Sequence, residues 1–97
     1  MGKYRLTNKA VQDLSEIWDY TYDHWSEKQA NWYFKFLVES FQEIANNPTI
    51  GKPYESVLQE LFGYKCNHHL IFFRIISPKE VEITRILHER MDLKSKF

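Results

Sequence analysis

The chain has 97 residues, of which 43% are hydrophobic and 16% aromatic, and its 13 Lys and Arg balance 13 Asp and Glu for a net charge of zero. That length suits one domain spanning residues 1–97, with apolar material for a core but little to spare. The missing basic excess argues against a purely electrostatic nucleic-acid binder, and no direct sequence-specific nucleic-acid binding is expected. No apolar run approaches the roughly 18 residues of a membrane span. Cys66 is the only cysteine, which excludes an intramolecular disulfide and argues against a cysteine-based zinc site. Residues 1–49 carry five Lys/Arg and seven Asp/Glu, a net of −2, whereas residues 50–97 carry eight and six, a net of +2. The opening MGKYR shows no secretory leader, and Leu6 breaks the myristoylation pattern, so a cytoplasmic location is expected.

Taken in order, Lys3 to Leu6 alternates like a short first strand, and Thr7 or Asn8 is a helix N-cap. Val11, Leu14, Ile17/Trp18, Tyr22 and Trp25 then recur at helical spacing, predicting a helix over 8–24. Asp13, Glu16, Asp19 and Asp23 lie off or beside that stripe, as a solvated face or as a docking surface for a basic partner. Ser26-Glu27-Lys28-Gln29 fits a capping box. A second helical stripe follows through Ala30, Tyr33/Phe34, Leu37, Phe41 and Ile44/Ala45, widened by Trp32, Phe36 and Val38. Asn46-Asn47-Pro48 stops it. So short a connection folds the two helices back as a hairpin.

Thr49 to Tyr54 reads as loop, and Glu55 to Glu60 is ambiguous. Leu61 to Cys66 reads as a strand and Asn67-His68 as a turn. His69 to Ile76 and Val81 to His88 are β-rich runs around Ser77-Pro78-Lys79-Glu80, a hairpin signal with Pro at the second turn position. Leu70, Phe72 and Ile76 on one face, and Ile71, Phe73 and Ile75 on the other, suit a central strand covered on both sides. Strict alternation puts Val81, Ile83, Arg85 and Leu87 toward the helices, and Glu82, Thr84, Ile86 and His88 on a wetter face. Arg85 must then pair with a carboxylate or reach the sheet margin. Glu89 to Leu93 allows one or two helical turns, and Lys94 to Phe97 is expected to fray. The expected fold is α+β. An N-terminal strand and a two-helix antiparallel hairpin pack on an antiparallel β-sheet, in the order β-α-α-β-β-β with a short C-terminal helical turn.

The chemistry-bearing residues are sparse. His68 and His69 are adjacent and point apart, His24 lies on the first helix, and no metal-ligand spacing links the four histidines, so no metal and no cofactor is expected. His88 closes the last strand and could serve as an acid or base. Lys65, Arg74, Arg85 and Arg90 could supply cations and Tyr64 a phenol, but they form no dense cluster. There is no Ser-His-Asp spacing and no nucleotide-binding glycine loop. Trp18, Tyr22, Trp25, Trp32, Tyr33 and Phe36 gather around the helical hairpin, where packing accounts for most of them and an exposed surplus would mark a protein interface. These residues alone define a small α+β interaction domain.

Three segments in order carry a resemblance: YRLTNKAVQDLSEIWDY (4–20), NPTIGKP (47–53), and His69-Leu70-Ile71-Phe72-Phe73-Arg74 followed by Ile83-Thr84-Arg85-Ile86-Leu87-His88 and Met91-Asp92. From Tyr4 to about Leu93 the chain resembles the ParE toxins of the RelE/ParE superfamily, the toxic halves of bacterial type II toxin–antitoxin modules. The resemblance implies a ParD-type antitoxin whose disordered tail wraps the toxin, with DNA gyrase as the target. Apolar anchors of that tail would meet the hairpin aromatics, and its acidic residues would meet Lys65, Arg74 or Arg90. Target or antitoxin contacts are accordingly expected from Lys65, Arg74, Arg85, His88 and Arg90, and no catalytic residue. The alternative is a ribosome-dependent mRNA endonuclease of the RelE kind, with His88, Arg85 and Lys65 catalytic, or a degenerate non-toxic member that only binds antitoxin. The C-terminal tyrosine of some ribonuclease relatives is missing, since Glu89 follows His88. Tyr64-Lys65 also stands where many ParE toxins carry an arginine.

Overall fold

The computed structural model describes residues 2–97; Met1, where the leader and myristoylation readings begin, lies outside the described residues. The elements are β1 (Lys3–Leu6), α1 (Asn8–His24), α2 (Glu27–Asn46), β2 (Lys52–Pro53), β3 (Phe62–Cys66), β4 (His69–Ser77) and β5 (Glu80–His88), with 3-10 turns at Pro48–Ile50 and Leu93–Lys96. They form one sheet in the order β1-β5-β4-β3-β2. All neighbours are antiparallel except β1, which runs parallel to β5. The α+β reading is therefore correct, with the helical hairpin against one face of the sheet. The two-residue β2 adds an edge pairing inside the segment read as loop.

Both helices begin at side-chain caps. Thr7 Oγ1 accepts from the Ala10 amide at 3.1 Å, and Ser26 Oγ from the Gln29 amide at 3.0 Å, which satisfies donors that a helix start leaves without partners. On α2 the buried stripe runs Ala30, Tyr33, Leu37, Phe41 and Ile44 as the spacing predicts, while Phe34 turns outward. On α1 the stripe is rotated from the expected one. Ala10, Asp13, Leu14 and Thr21 are buried, whereas Val11, Tyr22 and Trp25 are exposed. Asp13 is thus not part of a solvated acidic face.

The main core unites the helices with Cys66, Ile71, Phe73, Val81, Ile83 and Ile86. Leu61, Leu70, Phe72 and Leu87 form a second cluster on the opposite face, beneath Tyr54, Val57 and Leu93. Full burial of phenyl groups such as Phe41, Phe72 and Phe73 contributes about 1.5–3 kcal/mol each. β4 is covered on both faces as far as Phe73, but Ile75 and Ile76 are exposed beyond it.

Strict alternation fails once in β5. Phe72 pairs with Arg85 and Phe73 with Ile83, so Thr84 is an extra residue in the ladder. Such a bulge reverses which face the following side chains occupy. Ile86 therefore joins the helix-side core and Leu87 the opposite cluster, contrary to the period-two assignment. The C-terminus also departs from expectation. The helical turn lies at Leu93–Lys96 rather than within 89–93, and the tail folds back instead of fraying. Phe97 packs edge-on against Phe72 at 5.2 Å, and Arg85 Nη1 donates to the Lys96 carbonyl at 2.8 Å.

Candidate functional site

The densest polar chemistry lies where the β3–β4 turn and the end of β5 meet the helical hairpin. Asn67 opens that two-residue turn with φ of 59°, a left-handed conformation that Asn tolerates better than most side chains. The turn sets His68 and His69 on divergent paths, as their adjacency predicts. His68 Nδ1 reaches Glu89 at 3.1 Å, while His69 Nδ1 meets the Tyr33 hydroxyl at 2.7 Å. Burial, helped by the neighbouring His88 and His68, pushes the His69 imidazole down to about 4 against the opposing pull of Glu89. Burial likewise pushes the Tyr33 phenol up to about 12. Both groups are neutral at physiological pH, and the imidazole tautomer sets which of the two donates across this contact.

His88 stands edge-on to His69 at 5.5 Å and stacks on His68 at 6.3 Å. Its Nδ1 accepts from the Arg90 amide at 3.2 Å. Lys65 Nζ lies 3.6 Å from Glu89, whose carboxyl is held below its usual range first by the His68 hydrogen bond and also by Lys65. Lys65, His68, His69, His88 and Glu89 thus share one end of the sheet.

The other expected site residues do not join them. Arg85 is committed to α1. Its Nε and Nη2 donate to the two Asp13 oxygens at 2.8 and 2.9 Å, and Asp13 also accepts the Ile86 amide at 3.0 Å. The Asp13 hydrogen bond holds this guanidinium firmly protonated. Both alternatives foreseen for Arg85, a carboxylate partner and the sheet margin, are met together. Arg74 lies five residues along β4 from His69, about 17 Å at strand rise, and makes a loose 3.7 Å pair with Glu60. Arg90 is exposed. Cys66 is buried beside Ser40 Oγ at 3.2 Å, and burial pushes its thiol up, which suits packing rather than nucleophilic chemistry. Among the described residues no group of three or more His, Cys, Asp and Glu is placed to hold a metal ion.

Between α1, the α1–α2 connection and the end of β5 opens a groove of about 620 Å³, lined among others by Ile17, Tyr20, Trp25, Tyr33, Ile86 and His88. Tyr33 and His69 were not singled out from the sequence as site residues, because each also fits a core stripe or a strand end. The exposed aromatics named as an interface signal, Trp25 above all, were the available clue to the groove.

The geometry is that of a small α+β toxin fold. A structure of the chromosomal ParDE system of P. aeruginosa superposes with a TM-score of 0.75 at 22% identity, over 91% of this chain and 95% of that one. The RelBE2 toxin–antitoxin complex of Mycobacterium tuberculosis superposes with a TM-score of 0.70 at 21% identity, over 90% and 96%. Sequence narrows the class. Residues 4–93 match the family described as ParE toxin of type II toxin-antitoxin system, parDE. The chain is 33% identical to Toxin ParE1 of Mycobacterium tuberculosis over 95% of its own length and 94% of the relative's. It is 33% identical to Toxin ParE1 of Caulobacter vibrioides over 98% and 97%, and 30% identical to Toxin ParE of Escherichia coli over 100% and 94%. This chain belongs to the ParE toxin family.

Proposed function

We propose that residues 1–97 act as a single toxin domain in the bacterial cytoplasm, neutralised by a ParD-type antitoxin and directed, when free, against DNA gyrase. Family membership supports the toxin role and the antitoxin partner. The observation that favours a binding toxin over a nuclease is the dispersal of the cations. Cleaving a phosphodiester needs charge stabilisation and paired acid/base groups around one reacting phosphate. Here Arg85 is tied to Asp13, Lys65 to Glu89, and Arg74 to Glu60 at the far end of the sheet. Of the cations expected to meet the antitoxin, Lys65, Arg74 and Arg90 are exposed to its acidic residues.

The test is a paired assay on the purified chain, with gyrase supercoiling in one arm and mRNA cleavage on translating ribosomes in the other. Inhibition of supercoiling without cleavage is expected. Supercoiling left intact at saturating toxin would end the gyrase reading. Saturating ParD-type antitoxin is expected to raise the melting temperature, since a ligand at a thousand times its Kd stabilises the native state by about 4 kcal/mol.

One observation favours a second reading. His88 lies within 6.3 Å of both His68 and His69, ring to ring, and Lys65 shares Glu89 with His68. On this reading the chain cleaves ribosome-bound mRNA and His88→Ala abolishes cleavage with the fold intact. Absence of cleavage by the wild-type chain ends it.

A further inference from the structure

The helical hairpin has a second apolar face. Its inner side is buried, through Leu14 and Thr21 of α1 and Leu37 and Phe41 of α2. Along the outer seam Val11, Tyr22 and Phe34 are exposed at 51%, 48% and 42%, with Trp18 and Val38 half-buried beside them. Val11, Trp18 and Tyr22 recur at helical spacing and share one stripe of α1, and Phe34 and Val38 lie one turn apart on α2. Trp18 stacks on Tyr22 at 5.2 Å, and its Nε1 donates to Asn31 Oδ1 at 3.0 Å. That bond ties the two stripes together across the seam.

The charges beside the seam are arranged in opposition. The Trp18–Asn31 bond sets the level at which the antiparallel helices face each other. Counting turns from it, Lys28 on α2 falls level with the span between Asp19 and Asp23 on α1, and Lys9 on α1 falls level with Glu39 on α2. All five are exposed, and none of them makes an ion pair among the described residues. They cannot meet within one copy because they stand on opposite margins, with the apolar seam between them. A two-fold axis running parallel to the helices lays α1 of one copy over α2 of another. Each margin then meets the opposite charge of the other copy, and every contact occurs twice, as an isologous interface requires. The chain's net charge of zero adds no long-range repulsion to such an encounter.

We propose that the outer face of the helical hairpin binds a second copy of this chain about that axis. The two seams bury Val11, Tyr22 and Phe34 against one another, and Asp19 and Asp23 of each copy face Lys28 of the other. Helices of 17 and 20 residues offer a face about 25 Å long and about 20 Å wide, on the order of 500 Å² per copy. That lies toward the small end of specific interfaces, so the pairing is reversible. Tyr20, which lines the groove, lies across α1 from Trp18, so the groove stays open in the pair. This inference does not depend on gyrase being the target.

The test is sedimentation velocity on the full chain at concentrations rising to millimolar. A concentration-dependent dimer is expected. Asp19→Lys and Lys28→Glu each place two like-charge contacts in the pair and should weaken it about tenfold, within the range of two exposed charge pairs. An equimolar mixture of these two variants should recover wild-type association, because both contacts of the mixed pair then join opposite charges. Phe34→Glu should abolish the dimer, and melting curves of all three variants serve as folding controls. A chain that stays monomeric at millimolar concentration, charge variants that pair as the wild type does, or a mixture no tighter than its parts would each overturn the proposal. A monomeric wild-type chain whose Phe34→Glu variant loses antitoxin binding would also overturn it and assign the face to the antitoxin.

Discussion

Two arginines interrupt apolar strands in this molecule, and their surroundings set them apart. At the seam between α1 and β5, Arg85 is held at 2.8 Å by an Asp13 whose side chain is 9% exposed. At the distal end of β4, Arg74 meets Glu60 at 3.7 Å, with that carboxylate 75% exposed. Both are Arg–carboxylate pairs, yet the seam pair is desolvated, bidentate and tied to a backbone amide. The distal pair sits in water, where side-chain entropy and screening cancel most of the attraction. Ion pairs of one composition therefore hold this fold very unequally.

The sharpest way to break the contrast is Asp13→Ala. It strands the guanidinium and the Ile86 amide together and is expected to cost about 3–5 kcal/mol in urea denaturation, as for a broken buried pair. Adding Arg85→Met should recover part of that loss, because the stranded charge goes with it. If the single variant lost under 1 kcal/mol, the seam would be no more than a surface contact. Thr7→Ala removes the α1 cap and the bond to the Thr84 carbonyl, and about 1–2 kcal/mol is expected from melting curves.

His69 sharpens the contrast through pH. Its folded value, about 4, lies below the ordinary 6.5, so between those values the unfolded chain binds the extra proton. The contribution is complete above about pH 6.5 and is lost as pH falls through 4. His69→Gln keeps a partner for Tyr33 and should flatten the fall in stability between pH 6.5 and 4. Superimposable wild-type and variant profiles would dismiss the idea. Arg74→Ala, at the exposed end, should shift stability by under about 0.5 kcal/mol. A loss above 1.5 kcal/mol would erase the distinction between the two ends.

Most of the architecture was legible because its signals are local. The α2 stripe, the Ser26 cap, the Asn47-Pro48 stop and the Pro78 turn each lie within a few residues of what they determine. Arg85 was legible as a problem in need of a carboxylate, but not its solution, since Asp13 lies 72 positions away and α1 had to rotate to deliver it. The rotated stripe misled because Val11, Tyr22 and Trp25 are apolar enough to pass for core. The bulge at Thr84 was invisible because one extra residue leaves the composition of the strand unchanged while reversing every face after it. The C-terminal fold-back was hidden for another reason: Leu93 and Phe97 pack by tertiary contact, with no period to announce them. Of the residues named from the sequence, Lys65 and His88 lie at one end of the sheet, which Lys65 shares with His68 through Glu89. Tyr33 and His69 were missed because only the fold brings together residues 36 positions apart.

The parallel pairing of β1 with β5 bears on how the chain is made. Among the described residues β1 has no strand partner other than β5, and the Thr7–Thr84 bond joins residues 77 positions apart. Contacts so distant in sequence close slowly. During synthesis β1 and both helices emerge before β5, so the helical hairpin waits without the strand that completes its cover. The sheet closes only when β5 arrives, and until then the apolar helix faces stay open to any chain that reaches them first.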